Sequence, residues 1–301
     1  MKPTRGPAAA DIIVVGSANL DHVLAVPRLP APGETVAASD ETTTTGGKGA
    51  NQAVAAAALG GRVALVGVVG GDAEGRKARS SLRSAGVDVT YLGRGSARTG
   101  AATVMVDGSG ENMIVVRAGA NDELSADDVR RAIHALGSVH SLVLASLEVP
   151  LSAVLAAADV AGEIGARFVL NTAPARELPA DLLAKCDVVV PNEVELAQLG
   201  GAAEDILARG ARALVVTRGG RGVEVYVPGG KPIAVPAPEV EVRDTTGAGD
   251  VFVAALSTAL QEGTHLEDAC RFAAAAGALA TTRLGARGMV PRREEIEALL
   301  D

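Results

Sequence analysis

The stretch RDTTGAGDVFVAAL, residues 243–256, contains a glycine-flanked turn followed by an apolar, alanine-rich run. This composition predicts that a helix begins at the turn. The first turn of a helix presents backbone N–H groups without helical partners and the positive end of the helix dipole, which together suit an anion. A carboxylate, Asp250, nevertheless stands at the same turn. The stretch therefore raises the question of what a negative side chain does beside an anion site.

The composition of the chain limits the classes of protein it can belong to. Of its 301 residues, 48% are hydrophobic and 21% are charged, which favours a large α/β domain. The net charge of −8 argues against a nucleic-acid partner. Cys186 and Cys270 have neither a CxxC nor a Cys/His metal spacing, so we expect a reducing compartment. The short apolar run near the N-terminus predicts neither a signal sequence nor a membrane span, which favours a cytoplasmic protein without a membrane partner.

Short apolar, β-branched runs alternate with helical patterns along most of the chain. Strands are predicted at 12–15, 63–69, 141–145, 168–170, 188–190 and 214–217. Helices are predicted at 50–59, 72–85, 126–136, 151–164 and 193–199, and a further series begins at residue 247 and ends at 294–300. The alternation predicts an α/β fold, a doubly wound, mostly parallel sheet with helices on both faces. No linker interrupts the pattern, so a single domain over residues 1–301 is expected.

Two stretches do not fit this alternation. Residues 21–45 have no helical period, and residues 99–106 and 112–117 flank the turn sequence DGSGE as a hairpin would. These strands either extend one edge of the main sheet or form a small β lid from segments at about 18–46 and 97–118. A lid would cover the carboxyl ends of the main strands, where open α/β sheets bind ligands.

Several polar side chains are predicted at that edge of the sheet. Asn19 and Asp21 follow the first strand in GSANLD, and Glu148 follows a later buried strand. GGKGAN lacks the spacing of a phosphate loop, but its glycines allow close backbone approach and Lys48 and Asn51 supply donors. Each stretch alone is compatible with a local turn or helix cap. Three carboxylate or amide positions at one sheet edge favour a pocket for a polyol.

Two further motifs follow later strands. In VVPNEVEL, Asn192 and Glu195 either form a capping box at a helix N-terminus or reach a hydrated magnesium ion and phosphate oxygens. The glycine-rich stretch TRGGRGV, residues 217–223, is either an ordinary hairpin or a wall of a nucleotide site.

The order of these motifs resembles the ribokinase branch of the PfkB-type sugar kinases, from residue 11 to about residue 300. The matching stretches are GSANLD, PAPGETV, GGKGANQAVAAAALG, AGAN, LNTAPARELP, PNEVEL, TRGGRGV and DTTGAGDVFVAAL. GGKGANQA and DTTGAGD are specific for the family, and GGKGANQA together with APARELP favours the ribokinase branch. The resemblance implies a ribokinase-like fold whose β lid also forms a homodimer interface. It also implies D-ribose, ATP, Mg²⁺ and an activating K⁺ as ligands.

The resemblance implies a role for each motif. Asp250 would take the proton of the acceptor hydroxyl while the amides of Gly247, Ala248 and Gly249 hold the transferring phosphoryl group, so the two charges do not share one place. The implied sugar-binding positions are Asn19, Asp21, Gly47, Lys48, Gly49, Ala50, Asn51, Glu148 and Asp250. The implied nucleotide positions are Asn192, Glu195, Thr217, Arg218, Gly219, Gly220, Arg221, Gly222 and Gly249. The implied cation positions are Asp244, Thr246, Ala280, Arg283, Gly285 and Met289.

Two positions depart from the family pattern. Met289 stands where ribokinases usually have a serine, and Ala274 stands where a polar residue often meets the adenine. The expected activity is ATP-dependent phosphorylation of D-ribose at O5 to give D-ribose 5-phosphate and ADP. Two alternatives stay open: a kinase of another sugar such as deoxyribose or fructose, or a non-catalytic sugar-sensing protein on the same fold. An NAD-dependent dehydrogenase is disfavoured because no GxGxxG follows the first strand.

Overall fold

The structure is a computed structural model that describes residues 9–108, 111–283 and 290–300. In chain order its strands are β1 (Ile12–Val15), β2 (Asn19–Ala25), β3 (Asp40–Gly46), β4 (Val63–Gly70), β5 (Leu92–Gly95), β6 (Gly100–Val106), β7 (Asn112–Arg117), β8 (Leu142–Ser146), β9 (Arg167–Asn171), β10 (Val188–Val190), β11 (Leu214–Thr217), β12 (Val223–Tyr226) and β13 (Ile233–Val235). Its α-helices are α1 (Lys48–Ala58), α2 (Ala73–Ser84), α3 (Ala126–Leu136), α4 (Leu151–Glu163), α5 (Ala180–Leu183), α6 (Glu193–Gln198), α7 (Ala203–Ala208), α8 (Ala248–Gln261), α9 (Leu266–Ala280) and α10 (Arg293–Leu300).

The main sheet of the described residues has the strand order β13-β12-β11-β10-β9-β8-β1-β4-β5. Neighbouring strands from β11 to β5 are parallel, whereas β12 and β13 are antiparallel additions at one edge. Near the centre, Ile12 of β1 lies opposite Val63 of β4 and Leu142 of β8. The predicted α/β class with a mostly parallel sheet is confirmed.

The sheet has a hydrophobic core on each face. Ile12 and Val14 pack into one core with residues of α1, α8 and α9, while Ile13 and Val15 pack into the other with residues of α3 and α4. Successive side chains of a strand point to opposite faces, so this four-residue apolar strand contributes to both cores. Among the helices of the described residues, none is long and apolar enough to cross a membrane.

β2, β3, β6 and β7 form a separate small sheet with the order β3-β2-β6-β7. β2 pairs in parallel with β6 and antiparallel with β3, and β7 pairs antiparallel with β6 at the outer edge. The alternative that these strands extend the main sheet is therefore wrong. On β7, the apolar side chains of Met113, Ile114, Val115 and Val116 are all exposed.

Several short elements were not predicted from the sequence. β5 has two exposed residues and two glycines and shows no apolar run. β13 is an apolar stretch of only three residues between Pro232 and Pro236, and flanking prolines argue against a strand. The helices α5 and α7 have four and six residues, which is too short to show a helical period. The stretch from Thr217 to Val223 is indeed a hairpin connection, because it joins the antiparallel strands β11 and β12.

Candidate active site

The N-terminus of α8 carries a buried carboxylate. Gly247 precedes the helix with φ 78°, a left-handed conformation that favours glycine. Asp250 lies in the first turn and is only 8% exposed. The amide of Ala248 donates to the carbonyl oxygen of Thr245 at 3.2 Å, and no side chain of the described residues caps this end. The turn predicted from the sequence is therefore present, with an open helix end beside a carboxylate.

Two amides of α1 hold the carboxylate of Asp250. Asn51 donates from Nδ2 to Oδ2 at 3.0 Å, and Gln52 donates from Nε2 to Oδ1 at 3.0 Å. These contacts bring the motifs GGKGANQA and DTTGAGD together. Gln52 is fully buried and was not among the predicted site residues.

The surroundings of Asp250 shift its pKa in opposite directions. Burial raises the pKa of Asp250, Glu148 adds to this effect, and Lys48 together with the hydrogen bonds from Asn51 and Gln52 only partly counteracts it. Burial alone would lower the pKa of Lys48, but the carboxylates of Asp250, Glu148 and Glu195 outweigh it, so the pKa of Lys48 is raised. Lys48 therefore remains a cation next to the Asp250 carboxylate.

Glu148 joins the loop after β1 to the start of α1. Its Oε2 accepts hydrogen bonds from Ser17 Oγ at 2.5 Å and from the amide of Lys48 at 2.9 Å. The residue was predicted to contact sugar, and the structure shows that one of its oxygens is engaged by the protein itself. Ser17 was not predicted, because a serine in a glycine-rich loop gives no distinctive signal.

The amide of Asn19 has its orientation fixed by a second asparagine. Asn121 donates from Nδ2 to Asn19 Oδ1 at 2.7 Å and accepts from the amide of Ala18 at 3.0 Å. Because its oxygen faces Asn121, the Nδ2 group of Asn19 is left to donate elsewhere. A Cβ at Gly100 would overlap Asn19 Oδ1. Asn121 belongs to the AGAN stretch, but sequence reasoning assigned it no role.

Glycines allow the polar segments to approach closely. Gly46 of β3 lies beside Asp21, and a Cβ there would overlap the carboxylate. Gly47 has φ 87°, and a Cβ there would lie 2.9 Å from the amide nitrogen of Asn19. Gly46 and the predicted position Gly47 thus allow the segment before α1 to pack closely against the start of β2, which carries Asn19 and Asp21.

Gly49 and Ala50 pack α1 against the loop after β1. A Cβ at Gly49 would lie 2.6 Å from the carbonyl carbon of Gly16, which only a glycine avoids. Ala50 is fully buried, and its amide donates to the carbonyl oxygen of Ser17 at 2.8 Å. These two predicted sugar-site positions lie in the first turn of α1, and their observed contacts are with protein backbone.

A cavity of about 700 Å³ lies between the hairpin after β11 and the helices α8 and α9. The predicted nucleotide positions that line it are Asn192, Thr217, Arg218, Gly219, Gly220, Gly222 and Gly249. Apolar walls are contributed by Val194, Val242, Phe252 and Ala274, which suits a planar aromatic group. Arg221 does not line the cavity and instead pairs with Glu193 at 2.6 Å.

A smaller cavity of about 130 Å³ continues from the large one to Asp250. The two cavities share Asn192, Thr217 and Gly249, and the smaller one also contacts Lys48 and Glu195. Because Asn192 and Thr217 follow or end parallel strands, this cleft lies at the carboxyl ends of the main sheet. The predicted nucleotide and sugar residues therefore meet at the first turn of α8.

Asn192 and Glu195 form the capping box that the sequence left open. Asn192 Oδ1 accepts from the amide of Glu195 at 2.8 Å, and Glu195 Oε2 accepts from the amide of Asn192 at 3.0 Å. Within residues 9–108, 111–283 and 290–300, no group of three or more His, Cys, Asp or Glu side chains is arranged to hold a metal ion. Asn192 and Glu195 also line the smaller cavity, and water and phosphate oxygens are ligands that Mg²⁺ commonly keeps.

The predicted cation segments lie side by side. The amides of Arg243 and Asp244 donate to the carbonyl oxygen of Thr281 at 2.7 and 3.0 Å, just after α9. Asp244 Oδ1 accepts from the amide of Thr246 at 2.8 Å, and the carbonyl oxygen of Ala280 accepts from the amide of Arg283 at 3.4 Å. Carbonyl and carboxylate oxygens of this kind suit a monovalent cation. The predicted positions Gly285 and Met289 lie outside the described residues.

The fold and the cleft define a class of enzyme. An apolar cavity leads past an open helix N-terminus to a carboxylate and a lysine, an arrangement suited to transferring a phosphoryl group to a hydroxyl. The family model of the pfkB family carbohydrate kinases matches residues 9–293, and the chain belongs to this family.

Relatives of this chain include ribokinases and deoxyribokinases. The ribokinase of Haemophilus influenzae is 38% identical over 96% of this chain and 98% of its own length. The deoxyribokinase of Salmonella typhi is 34% identical over 96% of this chain and 98% of its own length. A solved structure of Arabidopsis thaliana ribokinase complexed with ribose and ATP is 34% identical, with a TM-score of 0.85 over 97% of this chain and 99% of that chain.

Proposed function

We propose that this chain phosphorylates D-ribose at O5, with ATP as the donor and D-ribose 5-phosphate and ADP as the products. The observation that carries the proposal is Asp250, a buried carboxylate at the open N-terminus of α8 and at the end of the cleft. The near full-length similarity to ribokinases, one of which was solved with ribose and ATP, supports the choice of sugar and donor.

The nucleotide occupies the larger cavity. Its base lies between the apolar side chains, and its phosphates extend toward the first turn of α8, where helix amides and the positive dipole end favour negative charge. Gly249 lines both cavities, and a Cβ there would have no atom within 4 Å, so protein packing does not require a glycine. The free space at Gly249 allows a phosphoryl oxygen to approach the backbone closely.

The sugar lies between the first turn of α8, the start of β2 with Asn19 and Asp21, and Asn51 on α1. Asn19 offers its Nδ2 group as a donor because Asn121 occupies its oxygen. The buried Oδ1 of Asn51 has no hydrogen-bond partner among the described residues, so it offers an acceptor. Donors and acceptors of this kind recognise sugar hydroxyls, and the small sheet acts as a lid over them.

The phosphoryl transfer needs a base and a stabiliser of negative charge. Asp250 accepts the proton of the acceptor hydroxyl as that oxygen attacks the terminal phosphoryl group, and ADP leaves on the opposite side. The amides of Gly247, Ala248 and Gly249 and the Lys48 cation stabilise the charge on the transferring oxygens. Ala248 must weaken its long hydrogen bond to Thr245 to take part.

Two metal ions complete the proposal. Asn192 and Glu195 would hold a hydrated Mg²⁺, which would neutralise phosphate charge. Asp244, Thr246 and the carbonyl groups after α9 would hold K⁺, next to the turn that carries the phosphoryl-binding amides. Replacing choline by K⁺ at constant ionic strength is expected to raise the initial rate, and equal rates with both cations would remove K⁺ from the proposal.

The exposed apolar side chains of the edge strand β7 support a homodimer formed through the small sheet. A contiguous exposed apolar strand at a sheet edge is a common protein interface and an aggregation hazard when uncovered. A second copy of the chain would cover Met113, Ile114, Val115 and Val116. ATP use and the two free, buried cysteines fit a reducing cytoplasm, which we propose as the compartment.

The proposed activity is tested by a coupled ADP-release assay over a panel of ribose, 2-deoxyribose, fructose and adenosine. Ribose is expected to give the highest kcat/KM. A higher value for deoxyribose would reassign the substrate to that of the Salmonella relative. Sugar binding without turnover on any member of the panel would favour the sugar-sensing alternative.

A further inference from the structure

Gln52 connects Asp250 to the main sheet. Its Nε2 group donates to Asp250 Oδ1 at 3.0 Å and to Asn171 Oδ1 at 3.1 Å. Asn171 ends β9, and its own Nδ2 group donates to the carbonyl oxygen of Val190 in β10 at 2.9 Å. The backbone carbonyl thus fixes the amide of Asn171, which in turn orients the nitrogen of Gln52 toward the carboxylate.

The two amides on Asp250 differ in their access to a ligand. Gln52 is fully buried, so no substrate atom can replace its hydrogen bond to Oδ1. Asn51, the neighbouring residue on α1, is half-buried and donates to Oδ2 at 3.0 Å. A sugar hydroxyl can therefore compete at Oδ2 but not at Oδ1. Oδ2 is the oxygen that meets the acceptor.

The position of Gln52 has a cost to the fold. Its Oε1 atom is buried without a hydrogen-bond partner among the described residues, and an unpaired buried acceptor is destabilising. An apolar side chain of similar length would avoid this cost on a helix face that is otherwise lined by alanine and valine. The contact with Asp250 gives a reason for an amide at this position.

We infer that Gln52 is a positioning residue for phosphoryl transfer: it holds Oδ1 of Asp250 so that Oδ2 faces the acceptor hydroxyl. This inference rests on the proposed function of Asp250 as the base. Gln52 touches neither substrate, so its removal is expected to lower kcat more than it raises the KM for the sugar.

The charges around Asp250 predict a second effect. Lys48 stabilises the ionised carboxylate, Glu148 opposes it, and the hydrogen bonds from Asn51 and Gln52 also favour the ionised form. Loss of the Gln52 donor therefore raises the pKa of Asp250 further. Because the base must be ionised to accept a proton, the acid limb of the kcat–pH profile should move to higher pH.

The test compares Gln52→Met, which keeps the length of the side chain but removes its donor, with the unaltered protein. The expected result is a fall in kcat of at least about tenfold, a change in sugar KM of less than about threefold, and an acid limb shifted to higher pH. Ser257→Ala on α8 is the control, because Ser257 is buried without a partner among the described residues and lies away from the cleft. It is expected to leave all three quantities unchanged.

A folded Gln52→Met protein with unchanged kcat and acid limb would overturn the inference. Equal loss of stability, kcat and sugar affinity without a pH shift would also overturn it, since that is the result of a purely structural role. If Gln52→Met does not fold, Gln52→Leu is used, a second apolar side chain that lacks the donor, and the same pH shift is expected. The rate of the unaltered protein on ribose is measured first, so that failure of the proposed function is recognised separately; the variants are then compared on the best sugar of the panel.

Discussion

At the scale of single residues, Gly249 and Asp250 are neighbours with different requirements. Hydrogen bonds from Asn51 and Gln52 hold the carboxylate of Asp250, whereas Gly249 has open space where a side chain would begin. Glycine in a helix costs about 1 kcal/mol relative to alanine, and at Gly249 no packing contact explains that cost. We attribute it to close approach of the phosphoryl group.

This attribution predicts the behaviour of Gly249→Ala. The variant should be as stable as the unaltered protein or slightly more stable, but its kcat should fall at least about tenfold because a methyl group displaces the transferring phosphoryl group. Gly162→Ala on α4 is a matched control, since a Cβ there also has no atom within 4 Å. Thermal melting and initial rates measure the two effects. Full activity of Gly249→Ala would show that the phosphoryl group does not lie against this turn.

Sequence reasoning placed Asp250 but missed Gln52 and Asn121. Asp250 is recognisable because glycines and a helix pattern surround it within a few residues. Gln52 and Asn121 act on partners 198 and 102 residues away in the chain, and neither has a local pattern that distinguishes it from an ordinary buried amide. Asn192 and Glu195 illustrate the reverse case, because their local capping box could be predicted from the spacing alone.

At the scale of elements, Asp72 joins the main sheet to the small one. It caps α2 by accepting from the amide of Gly75 at 2.8 Å, and it accepts from the amide and the hydroxyl of Thr99, just before β6, at 2.9 and 2.6 Å. Burial alone would raise the pKa of Asp72, but these hydrogen bonds and the charge of Arg98 lower it to about 2. The charged form of Asp72 is therefore the form that stabilises the fold.

Asp72→Asn is expected to lower the free energy of unfolding at pH 7 by about 1–2 kcal/mol, because hydrogen bonds to a charged acceptor are lost. A carboxyl whose folded pKa is depressed stabilises the protein above its unfolded pKa near 4. That contribution disappears as the pH falls toward the folded value of about 2. The difference between variant and unaltered protein should therefore shrink below about pH 4, measured by urea unfolding. Asp127→Asn, whose side chain is 91% exposed, serves as the control. A difference that does not depend on pH would contradict this account.

The elements that sequence reasoning predicted share one property. β1, β4 and β10 are apolar throughout and fully buried, so their composition alone marks them as strands of a parallel sheet. β5 and β13 lie at the sheet edges and bury few side chains. β5 has no apolar run, and the apolar stretch of β13 is only three residues long between two prolines. The sequence also left open whether β2, β3, β6 and β7 extend the main sheet or form a sheet of their own. The residues of a strand do not by themselves specify which strand they pair with.

At the scale of the whole molecule, the dimer proposal concerns β7, the apolar edge strand of the small sheet. Val115→Lys places a charge in the exposed apolar strand and should shift the chain from dimer to monomer in sedimentation experiments. Val139→Lys is a matched control, since Val139 and Val115 are 63% and 62% exposed but Val139 lies outside the small sheet. A monomeric unaltered protein at micromolar concentration, or a dimer that Val115→Lys does not affect, would contradict the proposal.

The central claim is that two motifs far apart in the chain meet to place a base at the end of a nucleotide cleft. Asp250→Asn tests it most directly, with the rate of phosphoryl transfer from ATP to ribose measured in a single turnover and ribose affinity measured separately. The account predicts a loss of about 10²–10⁴-fold in the transfer rate and a much smaller change in affinity. A folded Asp250→Asn protein that transfers the phosphoryl group at nearly the rate of the unaltered protein would contradict it.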